Sequence, residues 1–389
     1  MSQLKLIPIK RRIWGLLVVG MLAVVVVLAQ GCNPIRALGK NPSGEALKRI
    51  EALPNYQDGA FQNLDQIVQN VQTVAPATTT PVRRGPRWLR MLKYVTGQPK
   101  ELLPAKPLIT VKTDLVNATY TRPTVVWFGH SSFLLKTGSV NILFDPSFSG
   151  FAGPFKGAIR AFDGSNVYDH DDMPVIDALV ISHDHYDHLD YLTVKRLRKK
   201  VKRVIVPIGV GSHFRHWGFP DDMITELNWN ESARLSEAIT ITATPAHHRS
   251  NRTFKQVRKT LWASYVIKAD GHTVFFSGDS GYSRHFKLIG EQYGPFDLAL
   301  LECGQYNVKW PQSHMFPTQT AQAALDLRAA MTLPVHWGKY AESEHAWNES
   351  VNLYVKAADS LHVPVTVPRI GEPYTIGTAA KRTAWWNEF

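Results

Sequence analysis

Cysteine is nearly absent: 389 residues contain Cys32 and Cys303 alone, so no disulfide framework is available and the fold must be held by its core or by metal. A hydrophobic fraction of 44% in a chain of this length supplies ample core for one large domain or two modest ones. Acidic residues are also outnumbered. Against 44 Lys and Arg stand 32 Asp and Glu, a formal charge of +12. Such a surface attracts phosphate-bearing partners, nucleic acid or anionic lipid, and composition alone does not choose between them. No internal repeat is visible, which sets aside a repeat architecture.

Charge is missing altogether from Ile13 to Ala29, seventeen residues that follow Lys5, Lys10, Arg11 and Arg12. A basic start, an apolar run and small residues after it describe an export signal. The run is short for a bilayer span, which takes roughly 20 apolar residues. The basic flank would stay in the cytoplasm and place the rest of the chain outside. The stretch "LAQGC" ending at Cys32 resembles the lipobox of bacterial lipoproteins, with an uncleaved anchor as the alternative. Residues 1–32 are therefore expected to be a signal peptide or lipoprotein anchor. The protein is expected in the bacterial cell envelope, anchored to the membrane through Cys32.

Residues 33–115 read as a partly helical arm. "GEALKRIEAL" has helical spacing, and "VAPATTTPVRRGPR" is a breaker-rich connector. From Thr124 the texture turns to short strands: "TVVWF", "SSFLLK", "VNILFD", "DALVIS", "KRVIVPIG", "AITITATP" and "FDLALLE". In "LWASYVIKADGHTVFFSGD" the Asp270-Gly271 pair marks a hairpin turn. "YLTVKRLRKK" and "PTQTAQAALDLRAA" read as helices, the second with Pro317 at its opening. Strands interleaved with helices predict an α/β domain over residues 116–378 with its sites on loops at strand ends, and a tail over 379–389.

The densest chemistry is "ISHDHYDHLD", Ile181 to Asp190, directly after the apolar strand. His183 and His185 lie two apart on a loop, so both imidazoles can face one ion. Asp187 and His188 can face a second ion nearby. Imidazole nitrogen and carboxylate oxygen suit zinc, with tolerance for iron or manganese. Four residues do not complete two coordination shells, which predicts further ligands at later strand ends. "TPAHHRS" offers His247 or His248, "FFSGDSGY" offers Asp279 and "LPVHWGKY" offers His336.

This order of motifs resembles the metallo-β-lactamase superfamily, which implies an αββα sandwich with a dinuclear site on one edge. By motif position the resemblance implies His183, His185 and His248 on a first zinc ion. Asp187, His188 and His336 would hold a second, and Asp279 would bridge the two. A narrower resemblance is carried by "WFGHSSFLL", "LFDP", "HYDHLD", "PIGVGSHFRHWGF", "PAHH", "FSGDSGY", "PVHWGKY" and, in the arm, "YQDGAFQN". These are similar to the N-acylphosphatidylethanolamine-hydrolysing phospholipase D group and its bacterial relatives. That group implies an additional active-site histidine at His314.

Two zinc ions lower the pKa of a shared water to about 7 and polarise the scissile oxygen, which implies a hydrolase with Asp187, Asp279 and His314 in its machinery. Export and a basic, partly apolar surface point the site at phosphodiester in membrane lipid rather than at nucleic acid. The expected reaction is cleavage of N-acylphosphatidylethanolamine into phosphatidic acid and N-acylethanolamine. A lactonase or other small-ester hydrolase on the same fold is the alternative. "VKRLRKKVKR" holds seven Lys or Arg and "RRGPRWLRMLK" holds five beside Trp88, so both are candidate contacts for an anionic membrane face. "AWWNEF" at the C-terminus is expected to pack or fray rather than to touch lipid. Arg249 and Arg252 are candidate phosphate clamps, because a guanidinium fork matches phosphate oxygens. His130 is expected to support a ligand rather than to be one. Asp184 and Asp190 are expected to brace the loop, Asp190 by orienting a ligand or capping the next helix. The oligomeric state is not legible.

Overall fold

Side chains alternate faces along a strand, and the first apolar strands of this chain bury both faces. Phe133, Leu135, Ile142 and Phe144 enter one core cluster, while Leu134 and Leu143 enter a second. A sheet apolar on both sides has to be covered on both, here by another sheet and by helices.

In the computed structural model, which describes residues 34–68, 102–138, 140–252 and 258–389, the arm forms α1 (Pro34–Ala37), α2 (Glu45–Glu51), the hairpin β1 (Tyr56–Gln57) and β2 (Ala60–Phe61), and α3 (Leu64–Val68). The chain continues through β3 (Thr124–Trp127), β4 (Phe133–Thr137), β5 (Val140–Phe144), β6 (Ala178–Val180), α4 (Tyr191–Leu197), β7 (Val204–Pro207), α5 (Gly211–His216) and β8 (Ile224–Leu227). It then runs β9 (Ser232–Arg234), β10 (Ile239–Thr244), β11 (Ser264–Ala269), β12 (His272–Phe276), α6 (His285–Tyr293) and β13 (Leu298–Glu302). Last come α7 (Pro317–Asp326), β14 (Thr332–Val335), α8 (Glu349–Ser360) and β15 (Pro373–Thr375).

The strands make a seven-stranded sheet, β15-β3-β4-β5-β6-β7-β8, and a six-stranded sheet, β14-β13-β12-β11-β10-β9. They face each other across an aromatic core. Phe133 stacks on Phe144 at 4.4 Å and meets Phe276 of the other sheet edge-on at 5.0 Å. On the outer side of the first sheet, Val194 and Leu197 of α4 and Phe214 of α5 cover Leu134, Leu143 and Leu179. Ile289 of α6, Ala324 of α7 and Tyr354 of α8 are buried in the larger cluster. The result is the expected αββα sandwich. β11 and β12 join at Asp270-Gly271, both at positive φ, as that pair predicts.

Each sheet has a parallel run, β5 to β8 and β12 to β14. Parallel strands send their C-terminal ends to the same edge, where open α/β sheets bind their ligands. The tail packs: Trp385 and Trp386 are buried, with ring centroids 5.6 and 5.8 Å from Trp337. No helix among the described residues is long and apolar enough to cross a membrane. The expected export segment with Cys32, and the basic run at 83–93, lie outside the described residues.

Candidate metal centre

Every histidine and aspartate singled out as a ligand sits just beyond a strand. His183, His185, Asp187 and His188 follow β6, His248 follows β10, Asp279 follows β12, and His336 follows β14. The sandwich brings them together in two groups. Ligand atoms of His183, His185, His248 and Asp279 lie within 4.8 Å of one another, as do those of His130, Asp187, His188 and His336. The groups are joined through Asp279, whose Oδ1 lies 3.1 Å from His188 Nε2 and 3.0 Å from His336 Nδ1, and whose Oδ2 lies 3.7 Å from His183 Nε2. Of the adjacent pair, His248 enters the cluster, with Nε2 3.3 Å from His185 Nδ1. His247 turns away toward Asp65 of α3, 3.6 Å distant.

Several ring orientations are set by a second layer. Asp145, fully buried after β5, takes His188 Nδ1 at 2.7 Å on one oxygen and the Ser182 amide at 2.7 Å on the other. A carboxylate there makes Nδ1 the donor and leaves the His188 Nε2 lone pair facing the cluster. His183 Nδ1 meets Ser182 Oγ at 3.0 Å, and His336 Nδ1 meets Ser131 Oγ at 3.1 Å. His130 Nε2 reaches Asp187 Oδ2 at 2.8 Å, so it supports that carboxylate as expected. His130 and His336 both have positive φ, 53 and 67. Their backbones brace one another, because His336 N–H donates to His130 O at 2.9 Å. Strain of this kind persists only where the surroundings overdetermine it.

The donor set fits a metal. His336 Nε2 is buried without a hydrogen-bond partner, and His188 Nε2 and Asp279 Oδ1, though 3.1 Å apart, lack a well-directed hydrogen bond. Leaving each unsatisfied costs about 1–3 kcal/mol, which a bound cation would relieve. Burial, reinforced by neighbouring imidazoles, holds His183, His248 and His336 well below the usual imidazole range, and burial brings His185 down to about 4. Such rings are neutral at pH 7, the form that ligates. Burial opposes charge on His188 too, but the Asp279 and Asp187 carboxylates override it and raise its pKa. Burial raises Asp279 to about 7. Burial disfavours the Asp187 anion, yet His188 and His130 hold its pKa well below the usual carboxylate range.

His314 belongs to this neighbourhood. It shares a ligand-distance group with Asp279 and His336, and its ring stacks on His336 at 5.2 Å. Arg249 is exposed at the rim, where its charge depresses the imidazoles of His185, His248 and His314. Arg252 is placed against the expectation of a phosphate clamp. Its guanidinium is buried and donates to the carbonyls of Ala37, Asp184 and Leu189 at 2.7–2.9 Å. Asp190 caps α4 by accepting from the amides of Leu192 and Thr193. Asp184 braces the loop through His213 Nε2 at 3.2 Å and Thr260 Oγ1 at 2.8 Å.

Sequence reasoning missed four residues here. Asp145 stands in the quoted "LFDP", so its motif was in view without its task. Asn63 of the arm accepts the His248 amide at 3.0 Å across 185 residues of chain. Glu302 meets His314 Nδ1. The Glu342 carboxyl comes within hydrogen-bonding reach of Asp187, and burial followed by the Asp187 and Asp279 charges holds its pKa well above the usual range. Asn63 ends the quoted "YQDGAFQN", again without its task, and no local pattern signals the roles of Glu302 and Glu342.

Residues 140–337 match the family described as the beta-lactamase superfamily domain. An uncharacterized protein of Mycobacterium tuberculosis is 37% identical over 371 residues, which span 92% of this chain and 96% of that protein. N-acyl-phosphatidylethanolamine-hydrolyzing phospholipase D 1 of Caenorhabditis elegans is 33% identical over 231 residues, 55% of this chain and 63% of that enzyme. Among solved structures, Igni18, a metallo hydrolase of the archaeon Ignicoccus hospitalis, superposes with a TM-score of 0.52 at 23% identity. That match covers 67% of this chain and all of the archaeal one, and it speaks to the fold. Together with the histidine–aspartate cluster at the sheet edge, these matches make the chain a metal-dependent hydrolase that belongs to the metallo-β-lactamase superfamily.

Proposed function

We propose that this hydrolase is a two-zinc phosphodiesterase of the bacterial envelope that cleaves N-acylphosphatidylethanolamine in the manner of a phospholipase D. The observation that carries the reading is the two-lobed cluster joined at Asp279, with His314 and the cationic Arg249 on its rim. In this reading His183, His185 and His248 would hold one ion, Asp187, His188 and His336 a second, and Asp279 would serve both. Iron or manganese would suit the same donors. When bound, the ions supply a water of lowered pKa and a positive field for the phosphoryl oxygens.

The chain's own residues do the rest. Arg249 draws the lipid phosphate to the rim by charge and hydrogen bonding. His314, beside Asp279 and His336, contacts the phosphate or gives a proton to the oxygen that departs with N-acylethanolamine. Water adds to phosphorus, the bond to the ethanolamine oxygen breaks, and phosphatidic acid and N-acylethanolamine leave. The C. elegans relative, named for this reaction, supports the substrate class. Exposed Lys195, Arg196, Arg198 and Lys199 on and just after α4 give an anionic membrane a place to rest. Residues 1–32 would deliver and anchor the protein, 33–115 form the arm, 116–378 the hydrolase domain and 379–389 the tail.

The test is hydrolysis of N-acylphosphatidylethanolamine in mixed micelles by zinc-loaded protein. Release of N-acylethanolamine, abolished in His185→Ala, supports the reading. Turnover of lactones or nucleotides with no lipid cleavage overturns it in favour of a small-ester hydrolase or a nuclease. Labelled palmitate incorporated into the wild type and not into Cys32→Ser is the expected result for a lipoprotein, and no label in either refutes that anchor.

A further inference from the structure

Glu302 has no task in the reading above, yet its side chain is fully buried at the C-terminal end of β13. Burial pushes this carboxyl well above the usual range, while the Ser280 amide and the nearby His188 charge favour the anion, and a buried carboxylate is costly unless both oxygens are hydrogen-bonded. Here both are. Oε2 accepts the Ser280 amide, next to Asp279, at 2.6 Å, and Oε1 meets Nδ1 of His314. The backbone is pinned as well. Glu302 N–H donates to Ser277 Oγ at 2.8 Å, and Glu302 O accepts from Thr320 Oγ1 at 2.9 Å.

His314 is held from three sides. Glu302 takes Nδ1, the ring lies nearly parallel to His336 at 11°, and it meets His248 edge-on at 5.3 Å. With Nδ1 committed, Nε2 is the nitrogen left for the cluster. A carboxylate on one imidazole nitrogen can only accept there, so it settles which tautomer the ring adopts.

We propose that Glu302 is the positioning residue of His314: its carboxylate accepts the Nδ1 proton, turns the Nε2 lone pair toward the cluster so that this nitrogen takes a proton from the attacking water and passes it to the departing oxygen, and ties that ring to the loop carrying Asp279. The inference rests on the proposed substrate contact of His314 and extends it to a residue remote in sequence from every ligand motif.

Glu302→Gln tests it with almost no change in shape. The Gln oxygen can keep the Ser280 amide while its NH2 faces His314 Nδ1, which reverses the tautomer. The expected outcome is a fall in kcat of about 10- to 100-fold with zinc content unchanged, and KM within about twofold. Glu302→Asp, still a carboxylate, should lose less. Nitrogen-15 NMR of histidine-labelled, zinc-loaded protein, with His314 assigned by its loss in His314→Ala, reads the tautomer without any substrate. Nδ1 is expected protonated in the wild type and unprotonated in Glu302→Gln. Kinetics are run on N-acylphosphatidylethanolamine and on bis(p-nitrophenyl) phosphate. A tautomer switch with no turnover of the lipid sinks the lipid reading and leaves the positioning role standing. An unchanged tautomer, an unchanged kcat on a substrate that is turned over, or loss of zinc along with activity overturns it.

Discussion

Arg252 lies with its guanidinium 4.3 Å from the Tyr186 ring centroid and 5.1 Å from that of Trp217, and three backbone carbonyls take its protons. Those carbonyls belong to α1 and to both ends of the metal-binding loop, so the side chain works as a rivet. Charge-assisted hydrogen bonds and cation–π contacts of this kind make Arg252→Ala destabilising by about 2–4 kcal/mol. Arg249, two residues away and exposed, has the opposite profile. Arg249→Ala should leave the thermal midpoint within about a degree while raising KM for an anionic substrate several-fold. Thermal melts and steady-state kinetics on the two variants separate the roles. If Arg252→Ala raised KM with no loss of stability, the rivet assignment would be wrong.

At the scale of elements, two of the arm's contacts with the metal loops bear directly on ligand placement. Lys40 N–H donates to His213 Nδ1 at 3.0 Å, and His213 in turn holds Asp184 of the ligand loop. Asn63 Oδ1 accepts from the His248 amide and from Trp262 Nε1, both at 3.0 Å. Removing that oxygen strands the buried His248 amide at about 1–3 kcal/mol, Trp262 Nε1 keeping the Ala246 carbonyl at 2.9 Å, and frees the loop carrying His248. Asn63→Ala should therefore weaken zinc binding about 10- to 100-fold, measured by chelator competition, while Asn63→Asp keeps an acceptor and loses less. Unchanged affinity in Asn63→Ala would show that the arm does not support the ligand. This coupling also explains what the sequence could disclose. His183, His185, Asp187 and His188 crowd into one loop, and Asp279 and His336 each follow a short apolar strand, so periodicity and residue type suffice to find them. Interleaved strands and helices made an α/β domain legible in the same way, whereas the αββα layering followed from the family resemblance that the motifs carry. Asn63 and Glu302 look like ordinary loop and strand-end residues until the chain folds, since their partners lie 185 and 12 positions away. Arg252 misled because a cation next to a ligand loop reads as a substrate contact until its burial is known.

For the molecule as a whole, the pH dependence of stability turns on charges that folding removes from water. Lys339 is buried beside the ligand His336 region, with Nζ 3.4 Å from Phe128 O and near the Phe148 ring. Burial pulls its pKa down from 10.5 to about 7, against a weaker upward pull from Asp190. Between those two values the unfolded chain holds a proton that the folded chain has released, so stability rises with pH by up to about 1.4 kcal/mol per unit. His285 acts in the same sense lower down, since burial takes it from 6.5 to about 3 and acid costs stability as pH falls between them. Tyr265 and Tyr340 act in the reverse sense. Burial raises both phenols well above 10, so they keep their protons when folded and lose them when unfolded, and stability falls as pH climbs past 10. His188 and Glu342, whose pKa values are held up in the fold, act against Lys339 as pH rises, so the Lys339 contribution is read as a difference between wild type and variant. The urea midpoint of the wild type, taken relative to that of Lys339→Met, should climb from pH 7 to pH 9, the interval inside the Lys339 window. Lys339→Met removes the titrating group but keeps the buried aliphatic stem, so it should raise the midpoint at pH 7 and flatten the climb. A Lys339→Met protein with the same slope as wild type would mean that the amine keeps its proton when buried.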